Sequence, residues 1–311
     1  MDVILHIGAH RTATTCFQHY MRENSEQLET CGIGFWGPRR TRAGLFRGVI
    51  PVAGAGSAQS QLDRARGRVS IELERAAKKG LRHFIVSDEN MIGAPRRNLR
   101  DLRLYAATGE RMARFSHVFA GVNPRVFLSI REHDMYWASS FAYGVARGHR
   151  LPRVRDLNTI SHGGRGWREV IEDLACAVSG ASLTIMPYEI FGGRSDDQLG
   201  HMTGHGDLPC ADARTRMNAS PSLAQLREVL RHRGLCPDRL PQGDGRWMPF
   251  SDDQRAALQE MYQDDLFWLC DGANGLATLI EETGSVTAGQ TPRTDQTTRG
   301  HGNGIEERRM A

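Results

Sequence analysis

No two of the six cysteines stand in a Cys-x-x-Cys spacing. Cys16, Cys31, Cys176, Cys210, Cys236 and Cys270 are scattered along 311 residues. That speaks against a disulfide framework or a structural zinc site and points to reduced thiols. No apolar run approaches the ~20 residues of a membrane-spanning helix. A basic and apolar leader is also lacking, since the chain runs directly into an apolar strand, so a cytoplasmic protein is expected. Strong charge is missing too. The formal net charge is +4, too little to argue for nucleic acid. What positive charge there is comes largely as Arg, which suits bidentate contacts to phosphate, sulfate or carboxylate. No internal repeat is visible.

What is present is a globular composition, 40% hydrophobic and 24% charged, long enough for one large α/β domain or two small ones. Apolar strand patterns alternate with amphipathic helix patterns. Val3–Ile7, Ile33–Trp36, His83–Ser87, Val126–Ile130 and Leu183–Met186 read as strands. Phe17, Tyr20, Met21, Asn24 and Leu28 repeat at helical spacing, as do Leu62, Ala65, Val69, Leu73 and Ala76, with Ser60 as a candidate cap. Ser220-Pro221 reads as a cap with Pro at the first helical position, and Ser251-x-x-Gln254 as a capping box. Residues 37–59 and 149–166 read as loops. The expected fold is a three-layer α/β domain over residues 1–283, with a mainly parallel sheet, helices on both faces and a P-loop-like first strand-loop-helix unit. Residues 284–311 are Thr, Gly, Arg and Gln with almost nothing apolar, and read as a disordered tail.

In parallel sheets ligands bind at the C-terminal strand ends. The first such end is Gly8-Ala9-His10-Arg11-Thr12-Ala13-Thr14-Thr15, a short loop entering a helix. A helix start offers free N–H groups and a partial positive charge, and so takes phosphate or sulfate. A nucleoside-triphosphate loop would read G-x-x-x-x-G-K-[ST]. Aligning Gly8 as its first glycine leaves Ala13-Thr14-Thr15 at the last three positions, so the Lys is absent. Asp88 is the only candidate for a strand-end magnesium ligand.

The loop His10-Arg11-Thr12-Ala13-Thr14-Thr15 resembles the 5′-phosphosulfate loop of sulfotransferases that use 3′-phosphoadenosine 5′-phosphosulfate (PAPS), in particular the bacterial carbohydrate-sulfotransferase-like branch. That branch typically begins with a strand and His-Ile-Gly-x-His-Lys-Thr-Gly-Thr-Thr. Arg11 replaces the Lys and Ala13 the Gly. Arg131 at a strand end, with Ser139 eight residues on, resembles the family's 3′-phosphate pair. Gly-Trp-Arg at 166–168, Pro187-Tyr188-Glu189 and Asn218-x-Ser220 fit more loosely.

The resemblance implies a nucleotide-binding enzyme that moves a sulfuryl group from PAPS to a hydroxyl or amine, on a small metabolite or a glycan, with no metal. His10, Arg11, Thr12, Ala13, Thr14 and Thr15 would bind the 5′-phosphosulfate, and Arg131 with Ser139 the 3′-phosphate. Arg11 would neutralise charge on the bridging oxygen, by electrostatics alone, because a guanidinium does not readily donate a proton. Glu89, in Ser87-Asp88-Glu89, is the candidate base. Asp88 is the fallback, and His10 and His133 are minor candidates. Arg214 or Arg216 could stand in for the Arg-Lys-Gly segment of cytosolic relatives, which is missing here. Arg96, Arg97, Arg100 and Arg103 read as a solvated helix face, or alternatively as a surface for an acidic acceptor. His201-x-x-x-His205 with Cys210 reads as loop. Two other functions stay open: a degenerate relative that holds the nucleotide without turnover, and a kinase with an altered loop. The acceptor and the oligomeric state carry no readable motif.

Overall fold

Strand β1, Asp2–His6, has no wet face. Val3, Leu5 and Ile4 are all at most 1% exposed, although Ile4 points opposite to the other two. A strand buried on both sides needs cover on both, and that requirement shapes the fold. The computed structural model describes residues 1–281, and Met1–Glu281 cluster as one compact unit. The tail expected at 284–311 lies outside the described residues.

Five more strands join β1: β2 (Ile33–Trp36), β3 (His83–Ser87), β4 (Arg125–Ile130), β5 (Leu183–Pro187) and β6 (Thr278–Leu279). Their order is β2-β3-β1-β4-β5-β6, and every pairing is parallel. Alternate strand residues feed two separate cores. One holds Val3, Leu5, Val86 and Leu128 with the apolar faces of the helices Ala58–Lys78, Thr108–Val118, His133–Ala146, Trp167–Ala177 and Asp252–Cys270. The other holds Ile4, Ile85 and Phe127 with Phe17, Tyr20 and Met21 of helix α1 (Thr14–Glu23) and Leu199 and Met202 of the Ser195–Thr203 helix. The result is the three-layer parallel α/β architecture expected from the alternating patterns. No described helix is long and apolar enough to cross a membrane.

Local departures have local causes. The long helix starts at Ala58, capped by Ser57, whose hydroxyl accepts from Ser60 N at 3.1 Å, so Ser60 is not the cap. Val154–Gly163 is a helix inside the stretch read as loop. Only Leu157 and Ile160 give it an apolar side, and Asp156 closes its start by accepting from Arg153 N at 2.8 Å. Pro38–Arg40 and Thr41–Leu45 add helical turns to the other loop. The cap near residue 220 is Ser222, whose box with Gln225 opens the Leu223–His232 helix. Ser220 turns its hydroxyl elsewhere. The Ser251 box forms as expected. β6 has only two residues, too short to carry a sequence signal. His201 lies exposed on the Ser195–Thr203 helix, and His205 contacts Arg82. No three His, Cys, Asp or Glu among the described residues gather as a metal site.

Candidate anion-binding site

The loop after β1 is held from below. Ile7 N donates to Phe127 O at 2.9 Å and Ala9 N to Ser129 O at 3.0 Å, so the ribbon runs on beside β4. A Cβ on Gly8 would lie 2.7 Å from Thr14 Oγ1, so only glycine lets the strand pass this close under α1. Thr12 and Thr14 both donate to Ala9 O, at 2.6 and 3.4 Å, which ties the loop back on itself. Arg11 and Ala13 take positive φ, 69° and 61°. This curl leaves the backbone N–H groups of Arg11, Thr12, Ala13, Thr14 and Thr15 without a hydrogen-bond partner among the described residues. Successive free amides around left-handed positions form an anion-binding concavity.

The loop opens on a cavity of about 250 Å³ whose walls carry Arg11, Arg131, Arg216 and Arg246. Arg131 leaves the end of β4 and is 5% exposed. Its Nη1 donates to Arg11 O at 2.7 Å, its guanidinium lies over the Tyr188 ring at 4.3 Å, and its buried Nε has no partner. Its own carbonyl accepts from Trp167 Nε1 at 2.7 Å. Arg11 donates from Nε to Ser139 Oγ at 2.9 Å, and from Nη2 to Asn218 O at 2.9 Å and Ser220 Oγ at 3.2 Å. Burial holds both guanidiniums below their usual range, reinforced by Arg131 for Arg11 and by Arg246 for Arg131, whose neighbour Tyr188 pulls the other way. Among the described residues neither forms an ion pair. Buried cations without counter-ions are costly unless an anion completes them.

Glu89 is the carboxylate on the cavity wall. Its Oε2 accepts from Gln18 Nε2 at 2.9 Å and its Oε1 from Arg42 Nη2 at 3.0 Å. Burial pushes its pKa up, but His10, Arg42 and the hydrogen bond from Gln18 outweigh this and hold it below the usual range. The His10 ring nitrogens lie 2.9 Å from Tyr105 Oη and 3.1 Å from the Asn90 side-chain amide, and burial lowers its pKa against an upward pull from Glu89.

The structure therefore brings His10, Arg11, Ala13, Thr14, Thr15, Glu89, Arg131 and Ser139 to one cavity. Thr12 contributes its backbone N–H, since its hydroxyl faces Ala9. Arg216 lines the cavity, whereas Arg214 faces outward to Asp196 and Asp197. Asp88 is buried away from it, holding Thr41 Oγ1 at 2.6 Å and Arg42 Nη2 at 2.6 Å. His133 is core, 2.8 Å from Asp265 and stacked on Trp167. Arg96, Arg97 and Arg100 border a separate cavity of about 670 Å³ with His149 and Arg150. Sequence reasoning did not single out Gln18, Arg42, Tyr143 or Arg246. Tyr143 sits one helical turn after Ser139, a spacing that could have flagged it. Arg42 and Arg246 carry no local signal. No family model, curated protein or solved structure matches this chain.

Proposed function

We propose that this protein transfers a sulfuryl group from PAPS to a hydroxyl or amine of a small metabolite or glycan. One observation carries the reading: two arginines without an ion-pair partner among the described residues, Arg131 buried and Arg11 partly exposed, stand beside five free amides at the C-terminal end of a parallel sheet. That donor set fits a ligand with two separated anionic groups, and the orphaned Arg131 Nε is one donor such a ligand would satisfy. The donor supplies an activated sulfur–oxygen bond. The acceptor oxygen forms the new bond to sulfur as the bond to the phosphate oxygen breaks. The electron pair stays on that phosphate, next to the amide row. Glu89, ionised and on the same wall, accepts the acceptor's proton.

The kinase reading loses support because Asp88, its one magnesium candidate, is engaged by Thr41 and Arg42. A reading as a nucleotide holder without turnover has one observation in its favour. Both Glu89 oxygens already accept hydrogen bonds. Two measurements decide. Adenosine 3′,5′-bisphosphate should raise the melting temperature while ATP with magnesium does not, and the reverse pattern would overturn the proposal. Labelled sulfate should move from PAPS to a member of an acceptor panel. Glu89→Gln should lower that transfer at least a hundredfold with bisphosphate affinity within threefold. Retained turnover would remove Glu89 as the base.

A further inference from the structure

The backbone and the side chain of Arg11 serve different places. Its N–H heads the row of free amides. Its guanidinium leaves that row and lies among Ser139 of the His133–Ala146 helix and Asn218 and Ser220 of the irregular strap at 216–220 before the Leu223–His232 helix, backed by the Tyr143 ring at 5.0 Å. Ser139 and Ser220 are themselves 2.6 Å apart, so the guanidinium and two hydroxyls form a closed cluster. Arg131 joins it by donating to the Arg11 carbonyl, and its buried Nε is unspent. All Arg11 side-chain partners here are neutral oxygens. A guanidinium is suited to stronger, charge-assisted contacts with an anion.

We infer that the Arg11 guanidinium holds the second anionic group of the donor, its 3′-phosphate, together with Ser139 and Arg131, and that the transferring group is left to the amide row. The inference rests on the donor reading above, and it changes the role of Arg11 within it. The residue in the family's Lys position becomes the residue that distinguishes a 3′,5′-bisphosphate from a 5′-monophosphate.

The test is calorimetric binding of adenosine 3′,5′-bisphosphate and adenosine 5′-monophosphate to the full chain and to Arg11→Ala, Arg11→Lys and Ser139→Ala. Wild type should prefer the bisphosphate. Arg11→Ala should cut that preference about tenfold or more, with 5′-monophosphate affinity within threefold. Arg11→Lys, which keeps charge but loses the fork, and Ser139→Ala should each lose part of it. The ratio is taken on one sample of each variant, so a partly misfolded fraction cancels. If Arg11→Ala weakens both nucleotides equally, Arg11 serves the transferring end and the inference fails while the donor reading stands. The same holds if wild type binds both nucleotides without preference. If wild type binds neither, both fail.

Discussion

Ala13 shows what one methyl group does to the anion loop. At φ 61° its Cβ crowds its own carbonyl, a conformation that glycine takes freely. Ala13→Gly should therefore stabilise the chain by about 0.5–1 kcal/mol in urea unfolding. A loss of stability would show that the methyl packs usefully. His6, at the end of β1, is a second residue with a measurable consequence. Burial pushes its pKa down to about 4, against a smaller upward pull from Glu89. Between about 4 and the ordinary 6.5 the unfolded chain binds a proton that the native chain does not. Stability is thus complete above pH 6.5 and is lost as pH falls toward 4. The loss approaches about 3 kcal/mol at about 1.4 kcal/mol per unit. An NMR titration of His6 with a midpoint near 6.5 would refute this.

Among the elements, the Trp167–Ala177 helix lines no part of the cavity but supports it through Arg131. Its first amides are capped by a side chain from a distant helix. Asp265 accepts from Trp167 N at 2.8 Å and Arg168 N at 3.0 Å, and also lies 2.8 Å from His133 Nε2. Trp167 in turn holds the Arg131 carbonyl. Asp265→Ala removes all three bonds and leaves buried donors unsatisfied, so a loss of about 2–4 kcal/mol is expected in thermal or urea unfolding. Because the same helix steadies Arg131, bisphosphate affinity should fall as well. A change under 1 kcal/mol would make the cap incidental. The strap at 216–220 is the other decisive element. It has no regular structure, yet Met217 N lies 3.3 Å from Cys16 Sγ, and Asn218 Nδ2 donates to Thr15 Oγ1 at 3.2 Å. Loop residues such as these take their places from tertiary contacts, which is why pattern reading placed the helix cap two residues early.

For the molecule as a whole, the parallel sheet turns every strand end toward one edge, and that edge gathers the arginines. Net charge is low, so the proposed anion binding rests on local concentration of cations rather than on overall charge. A ligand that completes those cations stabilises the native state by mass action. At 100 times its Kd, adenosine 3′,5′-bisphosphate should contribute about 2.7 kcal/mol, with a matching rise in melting temperature. Salt should weaken that gain only modestly, because Arg131 is buried and Arg11 only partly exposed, so both are poorly screened. A gain abolished by 0.3 M salt, roughly the range where exposed pairs are strongly screened, would place the binding on the surface instead.

The amino-acid sequence by itself determined the α/β alternation, the five longer strands and the loop that carries His10 to Thr15. Each of these depends on near neighbours: a run of apolar residues, a glycine where a Cβ would clash, and hydroxyls ahead of a helix. Arg131 and Ser139 are marked by their resemblance to a family pair, a strand-end Arg with a Ser eight residues on, whose two members lie close in sequence. Only the tertiary structure decided the remainder. Arg42 reaches Asp88 and Glu89 from 46 and 47 residues away, and Arg11 reaches Ser220 from 209 away. No local pattern encodes such pairings. They arise when packing of the two apolar faces brings distant loops to one sheet edge, where buried charges must find oxygen partners.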